Sequence, residues 1–169
     1  MAALVLLASC SYSGQKTISV NGYTLITPSQ ERFEPSDERL SPIPSGMEGV
    51  DFAVEKLYLS KSKKSAFMIS SALISVGDVG QDFAEEYLQT LKDQLEKSGA
   101  VELNVRDGND GVKIASLAFA AGDVLTDKVL IYSLDKPNAL MIDFIFSADE
   151  AESLKDDMAA LLDSISVIE

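Results

Sequence analysis

The residues of this chain that could do chemistry are few. Cys10 is the only cysteine among 169 residues, and there is no histidine and no tryptophan. Without histidine the chain lacks the commonest general base at neutral pH, the usual Ser–His and Cys–His nucleophile pairs and the commonest transition-metal ligand. A single cysteine makes neither an internal disulfide nor a zinc cluster. Acids are plentiful, yet Glu85-Glu86 and Asp156-Asp157 are adjacent pairs, and neighbouring carboxylates on a helix diverge. Asp107-Gly108-Asn109-Asp110-Gly111 offers oxygen donors for a hard cation. It lacks the EF-hand ligands at the fifth and twelfth positions, and a β-turn rich in Gly and Asn accounts for it. Lys61-Ser62-Lys63-Lys64 is the one basic spot, either a solvated hairpin tip or a contact for anionic headgroups. Asp143 is the most interesting acid. It sits inside ALMIDFIFS, a strand-like run in which a carboxylate needs a partner, through a salt bridge or a place at a polar rim. No motif amounts to a catalytic site, so the chain reads as non-enzymatic, with no catalytic residue, cofactor or metal. A carboxylate hydrolase is the weakest reading, because it needs two buried acids facing one cleft and the sequence offers no such pair.

Cys10 follows MAALVLLAS, an uncharged apolar run too short to span a bilayer, which takes about 20 residues. The run has the character of a secretory h-region leading into small residues before a cut site. Leu7-Ala8-Ser9-Cys10 resembles the lipobox of bacterial lipoproteins. In that family the cysteine thiol carries a diacylglyceryl group and becomes the mature N-terminus. Residues 1–9 then read as a lipoprotein signal peptide, shortened in front where no Lys or Arg precedes the apolar run. Residues 10–16 read as the lipidated Cys10 and its tether. The alternative is an apolar strand ending in a buried thiol, and the polar SYSGQKT after Ser9-Cys10 speaks against it. A tether from Ser11 to Lys16 reaches at most about 20 Å, so the domain would work close to a membrane surface. Ser11 after the cysteine, rather than Asp, resembles the sorting signal for the outer membrane, facing the periplasm in a Gram-negative host.

The remainder, residues 17–169, reads as one domain, long enough to bury roughly two thirds of its unfolded surface. Thr17 to Thr27 suggests a small hairpin through Asn21-Gly22. Pro28 to Gly49, with four prolines, reads as a long surface loop with a short helical turn near Asp37 to Leu40, either a lid or a connection wrapping a sheet edge. Asp51 to Ser60 and Ser65 to Val76 form a hairpin, although the alternation of Phe52, Val54, Lys56 and Tyr58 is imperfect. Asp82 to Ser98 is the firmest helix, with Phe83, Tyr87, Leu88, Leu91 and Leu95 in one stripe, Lys97 in the last turn and Gly99 as the stop. Tyr87 there suits a core better than a ligand contact. Strands follow over Val101 to Arg106, Val112 to Ala121, Lys128 to Leu134 and Ala139 to Ser147. The last is apolar on both faces and so belongs in the middle of a covered sheet. Ser147 and Glu150 have the spacing of a capping box opening a final helix, with Leu154, Met158, Leu161, Leu162 and Ile165 on one side.

The order of these elements, from NGYTLITP through the Pro-rich loop to a helix ending LLDSISVIE, resembles the Mog1/PsbP-like fold, especially its bacterial DcrB-related branch. The resemblance implies an α+β domain, an α/β/α sandwich around an antiparallel sheet of about six strands. It implies an accessory, envelope or chaperone-like role, and no functional residue carries over. The formal net charge of −13 argues against nucleic acid as a partner, since its binders neutralise phosphates with clustered bases. The expectation is a membrane-anchored envelope lipoprotein, with lipid on Cys10, whose domain binds another protein. The alternative is a small-ligand or cation-binding lipoprotein with its site under the 28–49 loop.

Overall fold

Asn21 and Gly22 both take positive φ, 48° and 87°. That pair of left-handed residues twists the chain back in register with a right-twisted hairpin. It joins β1 (Thr17–Val20) to β2 (Tyr23–Ile26), as the Asn-Gly pair predicts. The chain belongs to a computed structural model that describes residues 14–45, 50–74, 81–96, 102–133 and 138–168. Cys10, Lys97 and Gly99 lie outside the described residues, as do the side chains of Phe83 and Leu95.

Pro28 to Gly49 departs most from the reading as a loop. It supplies β3 (Phe33–Ser36) and β4 (Ile43–Pro44), both antiparallel to β5 (Val50–Ser60). Proline lacks a ladder donor and is confined to sheet edges, which is where Pro35 and Pro44 sit. Residues 37–40 form no helical turn. The segment is an edge strap rather than a lid.

β5 turns at the lysine tip into β6 (Ala66–Ile74), and the ladder explains the broken alternation. Val54 pairs with Ser70 and Lys56 with Ile69, so Glu55 is an extra residue, a β-bulge. One inserted residue exchanges the faces on either side of it. Phe52 therefore packs on one face of the sheet, against Tyr87 at 5.4 Å, while Tyr58 stacks on Phe67 on the other at 4.4 Å. Glu55 accepts a hydrogen bond from the Ser71 hydroxyl at 2.5 Å.

The helix α1 (Gln81–Glu96) leads into β7 (Glu102–Asp107), β8 (Val112–Ala121), β9 (Val124–Ser133) and β10 (Ala139–Ser147), then α2 (Ala151–Asp163) and β11 (Ser166–Val167). The main sheet is antiparallel in the order β3-β5-β6-β10-β9-β8-β7, with β4 also on β5. It has eight strands rather than about six, because the proline-rich segment contributes two. A second sheet, β1-β2-β11, is closed by the last residues of the described chain. The molecule is thus richer in strand than the sandwich implied.

The helices cover opposite faces. Tyr87 and Leu88 of α1 pack with Phe52, Ala115, Leu130, Tyr132 and Met141. Leu154, Leu161 and Leu162 of α2, with the small sheet, bury Phe67, Ile114, Val129, Leu140, Phe144 and Phe146. β10 alternates between the two cores, as its two apolar faces require. Ser147 and Glu150 form no capping box. Glu150 itself is the N-cap without a side-chain cap bond, because its carboxylate accepts instead from Ser65 at 2.6 Å and Ser60 at 3.3 Å on the β5–β6 tip.

Candidate functional site

β10 and β9 are cross-strand neighbours, and their register sets Asp143 opposite Lys128. Both side chains point to the α1 face, and the carboxylate is 4% exposed, so it must be neutralised there. The Lys128 ammonium does so by a direct hydrogen bond to Oδ1. The sequence expectation of a partner for Asp143 is met, although no local pattern identified Lys128. The spacing of two strands in a ladder is invisible until the ladder forms.

The ion pair forms part of the wall of a cavity of about 340 Å³ between α1, the sheet and the edge strap. Phe52, Tyr87, Leu91 and Met141 make its apolar walls, and Ile43, Pro44 and Ser45 border it. Ser45 donates its hydroxyl to the Val50 carbonyl at 2.7 Å, which ties the strap to the edge it follows. The Tyr87 phenol is held protonated far above its usual range by burial and by the Asp143 charge. It can donate a hydrogen bond but is no base at neutral pH. The cavity therefore combines an apolar body with one internally neutralised polar spot, a lining suited to holding a small molecule. Tyr87 belongs to the core, as its helical stripe implied, and also faces this space.

A second, half-buried acid was not anticipated. Asp127 lies next to Lys128 on β9 and faces the opposite way, towards α2, because strand side chains alternate. Asp143 and Asp127 are thus on opposite faces of one sheet and form no dyad. Several of the remaining sequence candidates hold structure together. Asp110 and Gly111 take φ of 51° and 75° in a turn, and Asn109 donates from its side-chain amide to the Asp163 carbonyl at the end of α2 at 2.8 Å. Lys64 pairs with Asp149 at 2.7 Å, and Asp157 with Arg32 at 2.8 Å. Glu86 and Asp156 are exposed. Among the described residues no group of three or more Cys, Asp or Glu side chains converges to hold a metal ion.

No protein-family model and no curated protein matches the sequence. Among solved structures, that of cyanobacterial PsbP (CyanoP) from Synechocystis sp. PCC 6803 is similar, with a TM-score of 0.52 and 15% identity. The match covers 95% of this chain and 98% of that one. At this identity the likeness is one of fold, and the eight-stranded sheet with a helix on either face is PsbP-like.

Proposed function

We propose that this protein is a membrane-anchored envelope lipoprotein, held by lipid on Cys10, whose domain is a non-catalytic protein-binding or accessory, chaperone-like module. The observation that carries the non-catalytic part is the placement of buried Asp143 and half-buried Asp127. Asp143 is neutralised by Lys128, and Asp127 lies on the other side of the sheet, so neither can serve the other as acid or base. The PsbP-like fold supports the accessory reading, and Leu7-Ala8-Ser9-Cys10 supports the anchor. With Ser11 next, the protein would face the periplasm from the outer membrane of a Gram-negative host. Metabolic labelling with a fatty acid tests the anchor in cells that express the gene with its full upstream region. Label should appear on the wild type and vanish in Cys10→Ser; an unlabelled wild type sinks the anchor. Crosslinking in intact membranes should then trap one protein partner reproducibly, and a protein that crosslinks to nothing specific removes the binding role.

A second reading is favoured by the cavity beneath Ile43, Pro44 and Ser45, which is a small-ligand site where the edge strap borders α1. Native mass spectrometry of gently purified protein should show a retained small mass that Leu91→Phe expels. Protein that carries none, and takes up none from an envelope extract, overturns this reading.

A further inference from the structure

On the opposite face, β7, β8, β9 and α2 border a separate, open cleft of about 400 Å³. Its walls are Ala118, Leu125, Phe146 and Met158, and its charged groups are Asp127 and Glu102. β9 alternation requires this placement, because Val129 and Ile131 fill the α2-side core and Leu125 and Asp127 continue the same face. Glu102 and Asp127 flank Ala118 in register, one strand away on either side. Ladder spacing sets them about 10 Å apart.

Asp127 is half-buried where Asp143 is buried, and its bonding differs too. Its Oδ1 is fully buried and has no hydrogen-bond partner among the described residues. A half-buried carboxylate with one oxygen desolvated and unpaired weakens the fold when ionised. An arriving cation would reverse that cost. The cleft is also small, at the lower end of ligand-pocket volumes, and the chain's charge of −13 concentrates cations around it.

We infer that this cleft binds a small apolar cation, a protonated amine on a hydrophobic body, with the ammonium on Asp127 and the body against Leu125, Phe146 and Met158. Glu102, exposed at the other side of Ala118, adds attraction without closing over the ligand. The charged groups lining the cleft are these two acids alone; α2 contributes Met158 and β10 contributes Phe146. Burial pushes the Asp127 carboxyl up to about 6. Binding should therefore weaken below that pH, by about tenfold per unit as the carboxylate is protonated.

Phenylbutylamine, phenylbutanol and phenylbutyrate are the probes, titrated into the full chain carrying Cys10→Ser. The amine should bind at least about tenfold more tightly than the alcohol, as expected of a charge-assisted hydrogen bond, and should move the Met158 methyl resonance. Asp127→Asn, nearly isosteric, should bring amine and alcohol to equal affinity. Ala118→Phe should fill the cleft and block all three. Equal binding of the three probes, an amine preference that survives Asp127→Asn, or binding that leaves Met158 unmoved and survives Ala118→Phe overturns the proposal.

Discussion

At the scale of single residues, the sheet treats two neighbouring carboxylates differently. Asp143 and Lys128 compensate each other in a place where either alone would be a buried charge. Asp143→Ala should cost about 3 kcal/mol in urea denaturation, chiefly from the ammonium left behind. The double change Asp143→Leu with Lys128→Met should recover most of that loss; a double variant as weak as the single one refutes this account. Asp127 works against the fold when ionised. Its carboxyl is raised to about 6 in the folded protein from 3.8, so the folded state holds the proton more tightly than the unfolded chain does. Stability from this group increases as pH falls from 7 towards 4. Asp149 runs the other way. Lys64 lowers it to about 2, so its contribution is present above pH 4 and lost as pH falls towards 2. Glu150, lowered by the hydroxyls of Ser62, Ser65 and Ser60, acts in the same direction. The thermal midpoint should rise on acidification from pH 7 to 5 and fall below pH 4, and Asp127→Asn should flatten the first limb. The need of Asp143 for a partner was legible in its apolar strand; Lys128 and Asp127 were not, because pairing and facing depend on strands far apart in the chain.

At the scale of elements, β5 shows how one residue decides two cores. The Glu55 bulge puts Phe52 on the α1 side and Tyr58 on the α2 side. Deleting Glu55 should restore simple alternation and force one of these rings to the wrong face. The expected loss is about 3–5 kcal/mol, the scale of removing a buried aromatic, read by thermal denaturation against Glu55→Ala, which keeps the bulge. A deletion as stable as Glu55→Ala contradicts the two-face assignment. Phe67 lies at the centre of the α2-side aromatic row, 5.1 Å from Phe33, 4.4 Å from Tyr58 and 6.1 Å from Phe144. Phe67→Ala should cost a similar about 3–5 kcal/mol. The Asn21-Gly22 turn, the β5–β6 hairpin, α1 and the central position of β10 were all legible, since each follows from short-range pattern. The capping box failed because Ser60 and Ser65, 90 and 85 residues earlier in the chain, compete for the Glu150 carboxylate. The strap over 28–49 read as loop because its prolines suppress the strand signal, whereas an edge strand tolerates them.

At the scale of the whole molecule, one eight-stranded sheet separates two spaces with different chemistry. The α1-side cavity holds a neutralised ion pair, and the α2-side cleft holds an acid with one buried oxygen unpaired among the described residues. If Cys10 carries the lipid, Cys10→Ser should release the protein from membranes on fractionation while leaving its far-ultraviolet circular dichroism unchanged. A folding defect in that variant would show that the thiol is part of the core instead. Local pattern and composition alone determined the helix, most strands and their hairpins, the two-sided burial of β10, and the strong negative charge of the chain. Those depend on neighbours within a few residues or on totals over the chain. Tertiary structure alone decided that the proline-rich segment forms two edge strands, that β11 closes a second sheet, that Lys128 neutralises Asp143, and that Asp127 turns to the other face. Each of these depends on hydrogen-bond register between distant segments, and register arises only when the strands pair.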